Sequence, residues 1–249
     1  MIMLAILSTI LIILVVYLLW NFPWLTGYFE PIIYTRKLSE SKVAVFSDTH
    51  IKRGSLPTSL TEFILKEKFD LLVAAGDLIE YGHKRIRVND LERKLAEIFS
   101  QVIQCPSIKE IFYITSMSSH DPKIDKILEL MINGKKVTVV PGVLILDDSV
   151  KYYITHGDYA SRNGSIARIL NRIFDLWTEK RLRKALKMPS EAWLICGHTH
   201  ISRVNTELRI VNTGSWHRKA LAKPEFTLAV IDTGKNIVAL EKLAITPAR

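Results

Sequence analysis

Trp193-Leu194-Ile195-Cys196-Gly197-His198-Thr199-His200 is the stretch on which the fold turns. Its first half, an uncharged apolar tetrapeptide, reads as a strand buried on both faces. Its second half stops that strand with a glycine and sets two histidines one residue apart. Alternate residues of an extended segment point the same way, so the two imidazoles reach toward one place. Open α/β sheets build their sites in this way, at the carboxyl ends of apolar strands.

The same pattern recurs along the chain. Residues 43–46 run into Asp48-Thr49-His50, and residues 71–75 into Gly76-Asp77. Residues 111–115 lead to Ser118-Ser119-His120-Asp121, and residues 152–155 to His156-Gly157-Asp158. Five of the seven histidines sit at such strand ends, which chance placement explains poorly. Residues 136–140 make a further strand candidate. Helical patterns over 60–66, 90–103 and 124–132 intervene. After Cys196, residues 204–212, 226–232 and 237–243 read as strands joined by turns such as Thr233-Gly234. Alternation followed by strands alone predicts one α/β domain whose second half adds antiparallel sheet.

The residue types at the strand ends are those of metal ligands. Asp48 and His50 can grip one ion together. Mixed carboxylate and imidazole donors suit manganese first, with iron, zinc or nickel as alternatives, rather than calcium. Two such divalent ions a few Å apart form a clamp for attack on phosphate esters. Taken in order, the strings D-x-H, G-D, S-S-H-D, H-G and G-H-x-H resemble the calcineurin-like metallophosphoesterase superfamily over residues 43 to about 216. The resemblance implies a four-layer α/β/β/α sandwich with a dinuclear centre. Carried over by position, Asp48, His50 and His200 bind the first ion, Asp77 bridges, and His156 and His198 hold the second. Hydroxide held between the ions then attacks phosphorus, while His120 steadies or protonates the leaving oxygen and Asp121 orients its ring. One position departs from the pattern: the family's Asn ligand to the second ion is Ser119, and the Gly before it is Ser118. A neutral hydroxyl is a shorter and weaker ligand, so lower affinity at the second position is expected. His83, His217 and Asp158 are read as surface or outer groups. Asn212-Thr213-Gly214-Ser215-Trp216 is read as a turn near the site.

Composition adds location. Residues 2–20 carry no charge, a length that as a helix matches a bilayer's hydrocarbon core, and Asn21-Phe22-Pro23-Trp24 ends it with interfacial aromatics. The expectation is therefore a membrane anchor over 1–24, a linker over 25–41 and the phosphoesterase domain over 42–249. Arg36, Lys37 and Lys42 follow the helix and no basic residue precedes it, which places a single-pass protein's catalytic domain in the cytoplasm. Two cysteines, Cys105 and Cys196, offer no disulfide framework.

The chain is basic, 34 Lys+Arg against 25 Asp+Glu. From Arg162 to Lys187 eight basic residues face only Asp175 and Glu179. Ile166, Ile169, Leu170, Ile173, Phe174 and Trp177 fall at helical spacing there, so one stripe is expected to pack while the basic face stays wet. Arg162, Arg168 and Arg172 are candidates for holding an anionic, phosphate-containing substrate, and the bilayer is a candidate partner. The arginine-rich insertion and the Gly-His-Thr-His ending are loosely similar to the UDP-diacylglucosamine hydrolase branch. That similarity implies a lipid-linked or nucleotide pyrophosphate substrate. A nuclease of the same superfamily, or a membrane-tethered binding protein with an emptied second metal position, are the rival readings. The first rival finds no support in an added nucleic-acid-binding domain.

Overall fold

The structure is a computed structural model that describes residues 2–26, 30–117, 120–217 and 223–244. In chain order its elements are α1 (Ile2–Asn21), β1 (Ile32–Lys37), β2 (Lys42–Phe46), α2 (Thr58–Glu67), β3 (Leu71–Ala75), α3 (Val88–Ile98) and β4 (Glu110–Ile114). They continue as β5 (Leu128–Ile132), β6 (Lys135–Val140), β7 (Gly142–Asp147), β8 (Lys151–Ile154), α4 (Gly164–Ile173), α5 (Trp177–Ala185) and β9 (Trp193–Cys196). The last are β10 (Ser202–Asn205), β11 (Ile210–Thr213), β12 (Thr227–Asp232) and β13 (Ile237–Lys242).

The strands form two sheets, one in the order β13-β12-β2-β3-β4-β6-β5 and the other β1-β7-β8-β9-β11-β10. Period-two alternation along the strands sorts the side chains into three apolar layers. Phe46, Leu72 and Tyr113 face α2 and α3 through Leu60, Ile64, Leu91 and Leu95. Their neighbours Val45, Val73 and Phe112 face the second sheet at Leu144, Ile154, Ile195 and Val211. That sheet's other face packs Leu194, Cys196 and Ile210 against Leu176 and Leu182 of the α4–α5 region. The order is helix, sheet, sheet, helix. Because β3 and β4 are buried along their whole length, they read as continuous apolar runs rather than alternating ones.

Several expectations need correction. Residues 124–132 are not a helix: Leu128–Ile132 pairs antiparallel with β6 across an Asn133-Gly134 turn whose φ values are 48° and 78°. An Asn-Gly pair at positive φ matches the twist of a hairpin. Residues 204–212 divide into β10 and β11 around a turn. The stretch expected as a linker contains β1, which runs parallel to β7. The apolar stripe of residues 166–177 does not all pack: Ile169, Ile173 and Phe174 are 55%, 63% and 56% exposed, and α4 buries Ala167 and Asn171 instead. Asn163 caps the helix by accepting from the Ser165 and Ile166 amides at 3.0 and 3.2 Å, and Asn171 turns inward to donate to Glu179 at 2.6 Å and accept from the Thr178 amide at 2.7 Å.

The expected transmembrane anchor is also unsupported. α1 contains no charged residue, and its side chains from residue 6 to residue 20 are exposed. Yet among the described residues no helix is long and apolar enough to cross a membrane. The end of α1 is fastened to the domain instead. Asn21 is fully buried, its Nδ2 donates to the Ser161 hydroxyl at 3.2 Å, and its Oδ1 accepts from the Asn163 amide at 3.0 Å. Trp24 Nε1 donates to the Ala160 carbonyl at 3.0 Å, and Phe22 meets Trp177 edge-on at 5.8 Å.

Candidate metal centre

The strand ends bring the ligand-type residues together in a strained backbone. Asp48, His50, Asp77, His198 and His200 all sit at positive φ, between 49° and 71°. L-residues hold that conformation only where surroundings over-determine it, at a cost of order 1–3 kcal/mol each. Gly76 shows how tight the packing is, because a Cβ there would lie 2.4 Å from His156 Cγ. At Gly197 it would lie 2.0 Å from the Ser47 hydroxyl.

Two groupings match the sequence expectation in part. Asp48, His50 and His200 offer ligand atoms within 4.8 Å of one another, and so do Asp48, Asp77 and His156. His200 Nε2 lies 3.1 Å from Asp48 Oδ1, and His156 Nε2 lies 3.5 Å from Asp77 Oδ2. His198 joins the second grouping through His156, Nδ1 to Nε2 at 3.1 Å. Its own Nε2 is committed to the Ser161 carbonyl at 2.6 Å. His156 Nδ1 likewise faces the Ala75 carbonyl at 3.1 Å. Each of these two imidazoles therefore has one nitrogen tied to a backbone acceptor and presents the other inward, which is how metal-ligating histidines are held. Ser119 lies outside the described residues.

Electrostatics agree with a cation-binding cluster. Burial opposes ionisation of Asp48, yet the His200 and His156 charges outweigh it and hold the carboxyl well below the usual range. Asp77 is treated the same way by His156, His50 and His120. Burial works against a charge on His156, but Asp77 and Asp48 raise its proton affinity well above normal. His198, buried beside His156, is pushed down to about 3. Two buried carboxylates among buried imidazoles thus draw in a proton, and a divalent ion meets the same demand. Asp48 Oδ1 is buried and has the His200 imidazole at 3.1 Å as its neighbour, so carboxylate and ring face the same point. The donor set fits divalent ions of the manganese, iron and zinc type.

The expected partnership of Asp121 with His120 is replaced by another. Asp121 is fully buried and accepts from the amides of Asp77, Ser116 and Ile79 at 2.7, 2.8 and 3.2 Å, and from the Tyr113 hydroxyl at 2.6 Å. Burial and the Asp77 charge push its pKa up to about 6. It braces the loop carrying Asp77, while Glu80 meets the His120 ring. Its Oε1 meets His120 Nδ1 at 2.7 Å, its Oε2 meets His50 Nδ1 at 3.1 Å, and the two rings stand edge-on at 4.5 Å. The sequence reading misses Glu80; its one signal is a carboxylate three residues after Asp77, on the loop that follows β3.

The remaining candidates are placed as follows. His217, expected at the surface, has its ring 5.1 Å from that of His50. Asp158 is buried and accepts from the Met117 amide. Arg168 donates to the His200 carbonyl at 3.3 Å, Arg162 lies over the Trp20 ring at 5.5 Å, and Arg172 is exposed on α4. Asn212 is fully buried and donates to the Gly197 carbonyl at 2.9 Å, so the 212–216 turn packs directly beneath the histidine pair.

A family model described as the calcineurin-like phosphoesterase superfamily domain matches residues 42–236. Among solved structures, the chain is similar to an archaeal phosphodiesterase at 14% identity, covering 81% of this chain and 99% of the other, with a TM-score of 0.37. It is also similar to a zinc complex of Vps29 from Entamoeba histolytica, at 13% identity, coverage of 81% and 97%, and a TM-score of 0.41. A metallophosphoesterase from Sphaerobacter thermophilus gives 12% identity, coverage of 83% and 89%, and a TM-score of 0.37. No curated protein sequence matches.

Proposed function

Since the chain belongs to the calcineurin-like phosphoesterase superfamily and is a metal-dependent phosphoesterase, we propose that it hydrolyses a phosphodiester or pyrophosphate through two divalent ions. The reading takes Asp48, His50 and His200 as holding one ion and His156 and His198 the other, with Asp77 shared. Such ions supply Lewis acidity toward the phosphoryl oxygens. The single observation that carries the reading is the Glu80 carboxylate, which joins His50 in the cluster to His120 beside it. With Nδ1 committed to Glu80, proton transfer to the leaving oxygen falls to Nε2 of His120, and the negative partner stabilises the ring while it is protonated. Arg168 stands behind His200 as a cation for the substrate's remaining charge.

The test is a manganese-supplemented screen of bis-p-nitrophenyl phosphate, p-nitrophenyl phosphate and a pyrophosphate diester, with bound metal counted by mass spectrometry. Two ions per chain and turnover lost in His120→Ala support the proposal. One ion without turnover on any substrate sinks it.

A lipid surface is the second part of this reading. Ile169 and Ile173 of α4 and Phe174 just after it are exposed beside Arg168 and Arg172, an arrangement suited to an anionic headgroup layer. Sedimentation with phosphatidylglycerol vesicles, but not with phosphatidylcholine, is the expected result. Equal sedimentation of an Ile173→Ser/Phe174→Ser double variant counts against it.

A further inference from the structure

A cavity of about 320 Å³ lies between the segment joining α1 to β1 and the carboxyl end of β4. Thr115, Ser116 and Met117 line one side of it, and the Ser116 hydroxyl donates to Asp77 Oδ1 at 2.7 Å. One side chain therefore separates the cavity from the candidate metal cluster. Apolar wall is supplied by Ile32 and Ile124. Three basic side chains, His83, Lys123 and Arg162, converge on the same space.

Arg162 and Lys123 make no ion pair among the described residues. Arg162 has no ion pair and no hydrogen bond at Nε, and its guanidinium lies over Trp20. His83 Nδ1 is buried without a partner. Two acids also line the cavity, but Asp125 is exposed and lies 3.9 Å from Arg85, and Glu30 is exposed. Lys123 is exposed, but Arg162 is half-buried, and a half-buried guanidinium nitrogen without an acceptor is costly unless a ligand supplies one. Buried donors left unmade in a native fold call for such an explanation.

We propose that this cavity binds the organic group of the substrate, and that this group carries an acidic phosphoryl oxygen set of its own. Ile32 and Ile124 cover a ring-sized apolar body, while Arg162, Lys123 and His83 meet its negative charge. The inference rests on the phosphoesterase reading and adds the chemistry of the group beyond the cleaved bond: a phosphorylated organic moiety, as in a phosphoanhydride, in preference to a simple alkyl ester.

Phenylphosphonate, an uncleavable dianion with one ring, is the probe. Titration calorimetry uses the full chain stripped of metal with EDTA, so that binding at the metal centre does not contribute. The unaltered chain is expected to bind. Arg162→Gln and Lys123→Gln each weaken binding about tenfold, as loss of a hydrogen bond to a charged group does. Ile124→Trp, which fills the space, abolishes it, and unfolding curves establish that each variant is folded. Binding that survives both charge removals, or that appears only with metal present, overturns the proposal. Phenylphosphonate binding without hydrolysis of any ester by the metal-loaded protein counts against the phosphoesterase reading and leaves the cavity standing. Hydrolysis with no cavity-dependent binding does the reverse.

Discussion

Replacing Asp121 by alanine separates two accounts of this residue. If it oriented His120, the variant would lose turnover and keep its stability. In the structure Asp121 acts as a brace, because its carboxylate accepts from three buried amides, of Asp77, Ile79 and Ser116, and from the Tyr113 hydroxyl. Alanine leaves four donors without acceptors in a region with no solvent access. Each buried unsatisfied group costs about 1–3 kcal/mol, and water entering the space left by the carboxylate recovers part of it. A net loss of about 4 kcal/mol is expected, a large share of the 5–15 kcal/mol that typically holds a domain together. With a urea slope of about 3 kcal/mol/M for a chain of this size, the unfolding midpoint falls by roughly 1.3 M. Asp121→Asn keeps one acceptor oxygen and should fall between. The assay is urea denaturation of metal-free protein followed by circular dichroism. A midpoint within about 0.3 M of the unaltered chain would refute the bracing role.

Glu80→Gln should behave in the opposite sense, with near-normal stability but metal affinity or turnover lower by about 10–100-fold, because a partner of a ligand imidazole and of His120 is weakened. Retention of both metal affinity and turnover would exclude it. Glu179 is buried, and burial raises its pKa despite hydrogen bonds from Asn212 and Asn171. Its folded form holds a proton more tightly than its unfolded form, so the protein loses stability as pH rises from the ordinary Glu range through the raised value. Glu179→Gln should therefore gain on the unaltered chain as pH increases and match it at low pH; a gap that narrows with rising pH contradicts the reasoning. Manganese at a hundred times its dissociation constant should stabilise the fold by about 2.7 kcal/mol, reversed by EDTA. Thermal unfolding unmoved by manganese, iron and zinc alike would remove the metal centre from consideration.

How much of this is legible in sequence depends on what each element needs from elsewhere. β3, β4 and β9 are readable because both their faces are buried and the apolar run announces itself. β5 reads as helix because its short apolar run has no clear period. The Asn133-Gly134 pair behind it is the available signal. β1 offers an exposed face and finds its partner β7 more than 100 residues later, so nothing local marks it. At the site, Asp48, His50, Asp77, His156, His198 and His200 stand out because metal chemistry restricts residue type. Glu80 does not, since a carboxylate on a loop is ordinary until folding brings residue 120 to it. The outward turn of Ile173 and Phe174 likewise accompanies the inward polar contacts of Asn171 with Glu179 and Thr178, which apolar spacing does not announce.

Asn21 gives the N-terminal helix a fixed index. The amide at its end grips Ser161 and Asn163, and the Ser161 carbonyl is the acceptor that orients His198. Rotating α1 by a single residue would replace that amide with Trp20 or Phe22, neither of which can make these bonds. The helix thus meets the domain in one register, like a key cut for one lock, and whatever surface seizes its apolar length inherits a fixed orientation of the catalytic cleft.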